Sequence, residues 1–546
     1  MKPDRLPDPA ILWDMAIIGG GIHGMAAARV AACRGLRTLL LERADFGSQT
    51  SANSLKIIHG GLRYVQNLDI ARMRETAREQ AWLLSAAPGL VRPLECVMPT
   101  YPHPTRSKLA MRTGLWLYKR LAGGQAMPWP GAGTPAPGVF DRRTLLELVP
   151  KLEDSRITGG ARWYDAQAVN TERLGLAFLR SAQRHGAVAL NYVEASGLIA
   201  ERGRVSRLAI TDTLSGETGE LAVRTVLDCT GRSHYGASWH GLSACSPPMD
   251  YMRAVNLVIN RPLAALAFGF RTAPGANHRP SEQLLFSTPW NGQGIIGTWY
   301  YERAATDRKE EVLAALADIN SVFGGPELTL NDVTRIHEGW LPATRRQNRL
   351  TLRSQPLISH AADHGGPRGL VFARGVKYTT ARAVARSAVE LTASAGGLSL
   401  QTGTDKDELT LAGISPVALA ERLERAKSQY SPLFGEEIVH RLFHWYGTDA
   451  EAILGQAARE PGQTSHVPVA HGLLRAEIAY MIEQESVHTL ADLVVRRTGL
   501  GAGHRPSSEI IGYFADMLSH QLGWDAQRRD QEMTGIMALY PHWDLP

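Results

Sequence analysis

Gly19, Gly21 and Gly24 stand on a G-x-G-x-x-G spacing inside IIGGGIHG, and Glu42 follows at the end of the next apolar run. The chemistry available to this pattern is anion and ribose binding. The first glycine makes a tight turn, the second lets a pyrophosphate approach the backbone, and the third lets a helix pack close to a strand. Unpaired N–H groups and the dipole at the helix N-terminus favour negative charge, and an acid about 20 residues on can bond a ribose hydroxyl. A second cluster follows at once in RADFGSQTSANSLKIIHGGLRYV, dense in Ser, Thr, Asn and Gly. It can supply hydroxyls and backbone N–H groups to a bound dinucleotide, and Gly60 and Gly61 allow close approach. Lys56, His59, Arg63 and Tyr64 bring four functional side chains into that one short run.

The elements that must hold these residues are legible in outline. Met15 to Ile18 reads as a buried strand, the Ala-rich run after Gly24 as a helix, and Arg37 to Leu41 as a second strand. Residues 69 to 86 read as a helix whose core face carries Ile70, Met73, Ala77, Ala81 and Leu84. The Gly- and Pro-rich stretch from Ala122 to Gly138 is a loop or linker. A second α/β stretch comprises a helix near Leu174 to His185 and strands Ala187 to Val193, Val205 to Asp212 and Thr225 to Cys229, with a turn at Ser215-Gly216. From Pro247 to Leu341 the pattern becomes separated strands with one helix, Lys309 to Phe323, which predicts a mixed, mostly antiparallel sheet. The strand Gly369 to Ala373 and a helix from Lys377 to Ala393 return to the nucleotide domain. A linker near Leu398 to Asp407 leads to a region read as wholly helical, in which Glu477, Glu483, Glu485, Arg496 and Arg497 are expected as ion pairs on helix surfaces.

At 546 residues the chain needs two or three domains. A hydrophobic share of 44% with 21% charged residues is that of an ordered globular protein and excludes a disordered one. The net charge of +6 permits phosphate ligands, nucleic acid or an anionic surface without singling one out. Four scattered cysteines without a C-x-x-C pair argue against a zinc site or a disulfide framework and suit a reducing compartment. The N-terminal residues lack the apolar core of a signal peptide, and no apolar run is long enough to span a bilayer. The expected location is the cytoplasm, or the cytoplasmic face of a membrane as a peripheral protein.

The pairing of IGGGIHG with TSANSLKIIHGGLRY resembles the FAD-dependent glycerol-3-phosphate dehydrogenase family. So do Pro102-His103-Pro104 with the apolar helix around Met111 to Tyr118, Cys229-Thr230-Gly231, GVKYTTAR from Gly375, and RAEIAYMIEQESVHTLADLVVRRTGLG from Arg475. The resemblance implies an α/β fold with an FAD-binding Rossmann-like domain of the glutathione-reductase type, an antiparallel-sheet substrate domain and an all-α C-terminal domain. The expected division is 1–100, 145–245 and 342–397 for FAD, 101–144 and 246–341 for the substrate or cap domain, and 405–546 for the helical domain. It implies Gly19, Gly21, Gly24, Glu42, Thr50, Ser51, Ser54, Lys56, His59, Gly60, Gly61, Val193, Thr230, Gly231, Lys377, Tyr378 and Thr379 at the cofactor. His59, Arg63, Tyr64, Arg353 and Lys377 are implied at the substrate, and no metal. The implied reaction passes hydride from glycerol 3-phosphate to flavin, giving dihydroxyacetone phosphate, and electrons on to a quinone; peripheral membrane contact and a homodimer are compatible with it.

Departures from the family pattern cluster at the substrate. Met25, Ala26 and Arg29 replace family residues at packing or solvent positions, where FAD binding should survive. The family's lysine-glycine-serine-histidine run is Arg253-Ala254-Val255-Asn256, and its glycine-valine-arginine-proline run is Gly339-Trp340-Leu341-Pro342. These changes remove a histidine and an arginine expected at the substrate, for which Arg253, Arg345 or Arg346 could compensate. Val376 and Ala381 depart within GVKYTTAR. The alternative expectation is therefore another polyol, sugar derivative, hydroxy acid or amine as substrate, with an inactive flavoprotein ranked lower. Further alternatives are a flavin oxidase using oxygen, an NAD-only dehydrogenase and a nucleotide-regulated RNA-binding protein. The last ranks lowest because no basic run is interleaved with aromatics, so no nucleic-acid partner is expected. No Cys or His stands in a motif requiring covalent flavin.

Overall fold

The computed structural model describes residues 5–122, 128–131, 133–232, 245, 247, 249–272, 283–347, 349–402, 410–459 and 466–543. Parts of the expected loop (123–127 and 132) and of the expected linker (403–407) lie outside the described residues.

The glycine motif sits where strand, helix and strand meet. Strand Trp13–Ile18 runs parallel to Thr38–Glu42 on one side and to Thr218–Asp228 on the other, with Ile18 opposite Leu41 and Asp228. Three strand ends therefore converge beside Gly19, the position at which open α/β sheets bind ligands. The sheet continues through Leu370–Arg374 and Leu357–His360 on one edge and Val188–Asn191 on the other. An antiparallel meander, Val193–Glu201 and Arg204–Asp212, joins through Thr218–Asp228.

Helix Ile22–Cys33 is buried on nearly every face, because its run of alanines lets it lie close to the sheet and between helices Thr171–Arg184 and Ala381–Gly396. It ends where Gly35 takes φ +84°. Arg29, expected at a packing or solvent position, is 1% exposed, with its Nε donating to Ser181 Oγ.

Among the described residues the second sheet has ten strands, antiparallel except where Val91–Thr100 runs parallel to Ala267–Arg271. Strands Val91–Thr100 and Gly159–Ala168 pair with each other inside this sheet, so the two sheets do not follow the expected division at residues 100 and 145. Helix Ile70–Ala86 is present, but its buried face is Met73, Thr76, Ala77, Gln80 and Leu83; Ile70 is 36% exposed. Asp69 fixes the helix start by accepting from the Arg72 N–H.

The C-terminal region is helical with two corrections. Ala470–Leu474 is a strand that pairs with His466–Val467, and the helix begins only at Arg475. Helix Ala526–Met537, absent from the expected set, packs against Ser508–Leu522. The ion pairs expected on helix surfaces are also partly interior. Arg497 and Asp45 are fully buried and bonded at 2.5 Å, and Arg496 also reaches Asp45. Arg173 bonds Glu485 at 2.6 Å, and Glu477, 0% exposed, takes Arg441 and the Tyr446 hydroxyl. Three of these pairs, Arg497–Asp45, Arg496–Asp45 and Arg173–Glu485, join the C-terminal region to the nucleotide domain.

Candidate functional site

A cavity of ≈ 1150 Å³ runs from the glycine turn, between the two sheets, to the strand Asp250–Ile259. At its nucleotide end, Gly19 takes φ +101°, and a Cβ there would meet Cys229 O at 2.9 Å. Gly24 does not line the cavity. A Cβ on Gly24 would stand 1.8 Å from Gly19 O, so it keeps the helix close to the turn, as its place in the motif requires. Glu42 accepts from the Gly20 N–H at 2.6 Å and the Ala44 N–H at 2.8 Å, while burial raises its pKa. Val193, Thr230 and Gly231 line the same end.

The Ser/Thr-rich segment forms the long wall. Ser51 Oγ accepts from the Ile22 N–H, Thr50 Oγ1 from the Trp340 N–H, and Asn53 donates to Glu338 O. These bonds stitch the segment to the helix N-terminus and to strand Val333–Arg346. Ser54 also lines the cavity. Lys56 departs from expectation: it borders the cavity, but its ammonium is buried among Ala52 O, Thr171 Oγ1 and Glu172 Oε2. Its side chain fastens the wall to helix Thr171–Arg184.

The far wall is the turn before helix Ala381–Gly396. That helix begins four residues later than Lys377, so Lys377, Tyr378 and Thr379 line the cavity from a turn. The Tyr378 hydroxyl is spent on Thr171 O at 2.8 Å. His23 also lines the cavity. Burial brings its imidazole down to about 4, against a hydrogen bond to the Lys377 backbone, and its buried Nε2 has no partner. An elongated cavity, a helix N-terminus, a ring of hydroxyls and an orphaned imidazole nitrogen fit a dinucleotide cofactor.

His59, Tyr300 and Lys377 line the cavity, whereas Tyr64 and the exposed Arg63 do not; Tyr64 lies against Lys377, and the Arg63 charge acts on Lys377 and Tyr300. Lys377 Nζ lies 4.1 Å from the centre of the Tyr64 ring. Burial first, and the Arg63 charge second, bring Lys377 down to about 8. No described carboxylate pairs with either cation. Tyr300 feels the same Arg63 charge, though burial prevails and raises its pKa.

His59 is organised by a residue that sequence reasoning missed. Its Nδ1 lies 3.1 Å from Asp165 Oδ2, and Asp165 also accepts from the Gly60 N–H at 2.7 Å, Gln80 Nε2 at 3.2 Å and Trp163 Nε1 at 3.2 Å. Burial alone would raise the Asp165 pKa, but the bonds from His59 and Gly60 lower it overall. An ionised Asp165 can only accept, so Nδ1 of His59 carries the proton and Nε2 is left free. Gly60 and Gly61 lie behind the cavity wall. Gly60 O accepts from the Tyr118 hydroxyl, and Gly61, at φ +91°, packs on Met73 and Thr76.

Arg353 is not brought to the cavity: its N–H bonds Pro342 O, and its Nε is buried without a partner. Arg253 is 1% exposed and bound by Glu311 and Glu338, so its charge is consumed inside the protein. Arg345 is half exposed, beside Asp250 and Glu302. Asn256 and Leu341 do line the cavity, with Thr298 donating to Asn256 Oδ1 at 2.7 Å. Arg232 and Arg303, which sequence reasoning did not single out, line it as well. Among the described residues no group of three or more His, Cys, Asp or Glu could hold a metal, and no helix is long and apolar enough to cross a membrane.

Residues 14–391 match the profile of FAD dependent oxidoreductases, and residues 407–529 match the C-terminal domain of alpha-glycerophosphate oxidase. The chain belongs to the FAD-dependent oxidoreductase family. This oxidoreductase is 29% identical to a glycerol-3-phosphate dehydrogenase of Synechocystis sp., over 95% of each chain. It is also 29% identical to glycerol-3-phosphate dehydrogenase 2 of Mycobacterium tuberculosis, over 96% of this chain and 88% of that one. Among solved structures, the glycerol-3-phosphate dehydrogenase from Bacillus halodurans, complexed with FAD, superposes with a TM-score of 0.73 at 21% identity, covering 98% of this chain and 97% of that one. The oxidoreductase thus resembles glycerol-3-phosphate dehydrogenases over nearly its whole length, and its cofactor is FAD.

Proposed function

We infer that this oxidoreductase oxidises glycerol 3-phosphate to dihydroxyacetone phosphate and passes the electrons to a quinone. The observation that carries the reading is Lys377 in the cavity lining with the charge of Arg63, an exposed residue outside that lining, acting on it, two cations without a described carboxylate to neutralise them. Such a pair is stabilised by an anion, and Arg presents a planar fork suited to phosphate while Lys acts as a point charge. The names of the 29%-identical relatives support the same substrate.

FAD would be held by the Gly19–Gly24 turn, Glu42, the hydroxyls of Thr50, Ser51 and Ser54, and the Lys377–Thr379 turn; bound there, it supplies a two-electron acceptor for a hydride. Arg63 and Lys377 bind the phosphate and fix the carbinol carbon. His59 Nε2 receives the hydroxyl proton, and Asp165 stabilises the imidazolium that results. Tyr300 lines the pocket, and Tyr64 lies against Lys377.

A second reading is favoured by Leu341, Asn256 and the sequestered Arg253: a pocket respecified for a different small substrate, such as another polyol, a sugar derivative, a hydroxy acid or an amine. Anaerobic flavin bleaching separates the two. Glycerol 3-phosphate should bleach the yellow protein rapidly, and unphosphorylated polyols, hydroxy acids and amines only slowly. Bleaching by one of the latter alone would replace the first reading with the second. Stopped-flow reoxidation by a quinone analogue against oxygen tests the acceptor.

A further inference from the structure

Helix Thr171–Arg184 borders two cavities. Thr171 faces the large one, whereas Arg173 and Ala177 line a second, of ≈ 260 Å³, between the nucleotide domain and helices Pro416–Phe434 and Glu436–Tyr446. The walls of this second cavity are mainly apolar, from Ala87 and Leu90 to Leu419, Leu423 and Phe443. Two groups of charges interrupt them, the partly exposed Asp449 with Arg180 and Arg184, and the fully buried pair Arg173–Glu485. Arg173 and Glu485 are each 2% exposed, with Nη1 donating to Oε2 at 2.6 Å and Nη2 donating to Trp445 O at 3.3 Å. The guanidinium also lies 4.4 Å from the centre of the Tyr446 ring.

The pair is incompletely satisfied. Arg173 Nε and Glu485 Oε1 are both buried and have no hydrogen-bond partner. One is a donor and the other an acceptor, and buried polar groups as a rule find partners. The occupant must therefore offer an acceptor and a donor at one end and an apolar body at the other. A carboxylate would meet Glu485 and an ammonium would meet Arg173, so neither charge is suited. A hydroxyl accepts and donates through one atom. An apolar protein cavity of about 150 Å³ already admits benzene, so this one has room for a single substituted ring and none for a nucleotide. We propose that this interdomain cavity is a binding site for a small, neutral, hydroxylated aromatic molecule.

The test uses the full-length, flavin-loaded protein and fluorine NMR with 4-fluorophenol, 4-fluorotoluene and 4-fluorobenzoate as probes. Saturable binding of 4-fluorophenol is expected, at least tenfold tighter than that of the other two. Ala177→Phe and, separately, Leu423→Trp fill the cavity from opposite walls, away from the flavin. Loss of 4-fluorophenol binding in a filled variant that keeps its flavin absorbance supports the site. Absence of saturable binding, equal affinity for the three probes, or binding retained in both filled variants overturns it.

Discussion

Anion affinity at the Arg63–Lys377 pair should depend on pH in a way that ordinary lysines do not produce. Lys377 stands at about 8 against a usual 10.5. Burial is the larger cause and the Arg63 charge the smaller. Because the folded value lies below the unfolded one, the charged form is disfavoured in the native protein. That cost to stability is fully present below pH 8 and disappears as pH rises toward 10.5. A bound anion reverses the preference by drawing a proton onto Lys377. A phosphate monoester is already a dianion above its second pKa of about 6. Affinity for dihydroxyacetone phosphate should therefore be level between about pH 7 and 8 and fall roughly tenfold per unit above that. Arg63→Ala removes the smaller cause, so the break should move up by about one unit or less. At pH 7 the same variant should bind about 10- to 100-fold more weakly, the equivalent of one charge-assisted hydrogen bond of roughly 1.5–3 kcal/mol. Lys377→Arg should have no break. The assay is the dissociation constant of dihydroxyacetone phosphate, read from the oxidised flavin spectrum at each pH. A break that persists in Lys377→Arg, or affinity independent of pH in the unmodified protein, would refute the assignment of the anion to this pair.

Further outcomes follow from the same geometry. Asp165→Asn should lower kcat on the order of 10²-fold with the flavin spectrum intact, because the amide no longer fixes the Nδ1–H tautomer of His59; unchanged kcat would remove Asp165 from the reaction. Gly24→Ala places a Cβ 1.8 Å from Gly19 O, a clash costing about 1–3 kcal/mol, and should strip FAD on gel filtration. Asp45→Asn breaks a buried pair and should cost about 3–5 kcal/mol at pH 7 in denaturant titrations. Burial raises the Asp45 carboxyl, but Arg497 and Arg496 outweigh it and hold the group below its usual 3.8; its contribution is present above that pH and is lost on acidification, so the variant should show a flatter acid limb. Leu341→Arg should tighten glycerol 3-phosphate binding about tenfold or more by adding one charge-assisted bond, whereas Arg253→Gln should lower stability and leave KM nearly unchanged.

What was legible in the sequence was what is encoded locally. Gly19, Gly24 and the Ala-rich helix declare their turn within a dozen residues, because strand, turn and helix are all satisfied by neighbours in the chain. The hydroxyl-rich segment from Thr50 to Ser54 is legible for the same reason. Lys56 shows where local reading stops. The family resemblance implies it at the cofactor, yet Glu172, more than a hundred residues away, claims the ammonium. Arg253 is lost to Glu311 and Glu338 in the same manner. A buried cation is committed to whichever carboxylate the fold presents, since an unpaired buried charge costs several kcal/mol, and composition does not state that choice. Arg497 was misplaced on a surface for this reason: its partner Asp45 lies in the nucleotide domain.

Asp165 was illegible for a related cause. It shares a face with Trp163 on a strand whose residues are buried throughout, so no period-two pattern marks it as polar and inward. Only the pairing of Ile57–Ile58 with Gln167 and Ala166 brings it beneath His59. The same pairing sets Gly60 N–H and His59 Nδ1 on the two oxygens of one carboxylate. The histidine, which on its own could be a structural residue as easily as a base, is thereby given one tautomer and one free nitrogen. The distinction between those roles is made by register between strands more than a hundred residues apart, which is why Asp165→Asn, rather than a substitution of His59 itself, is the variant that decides it.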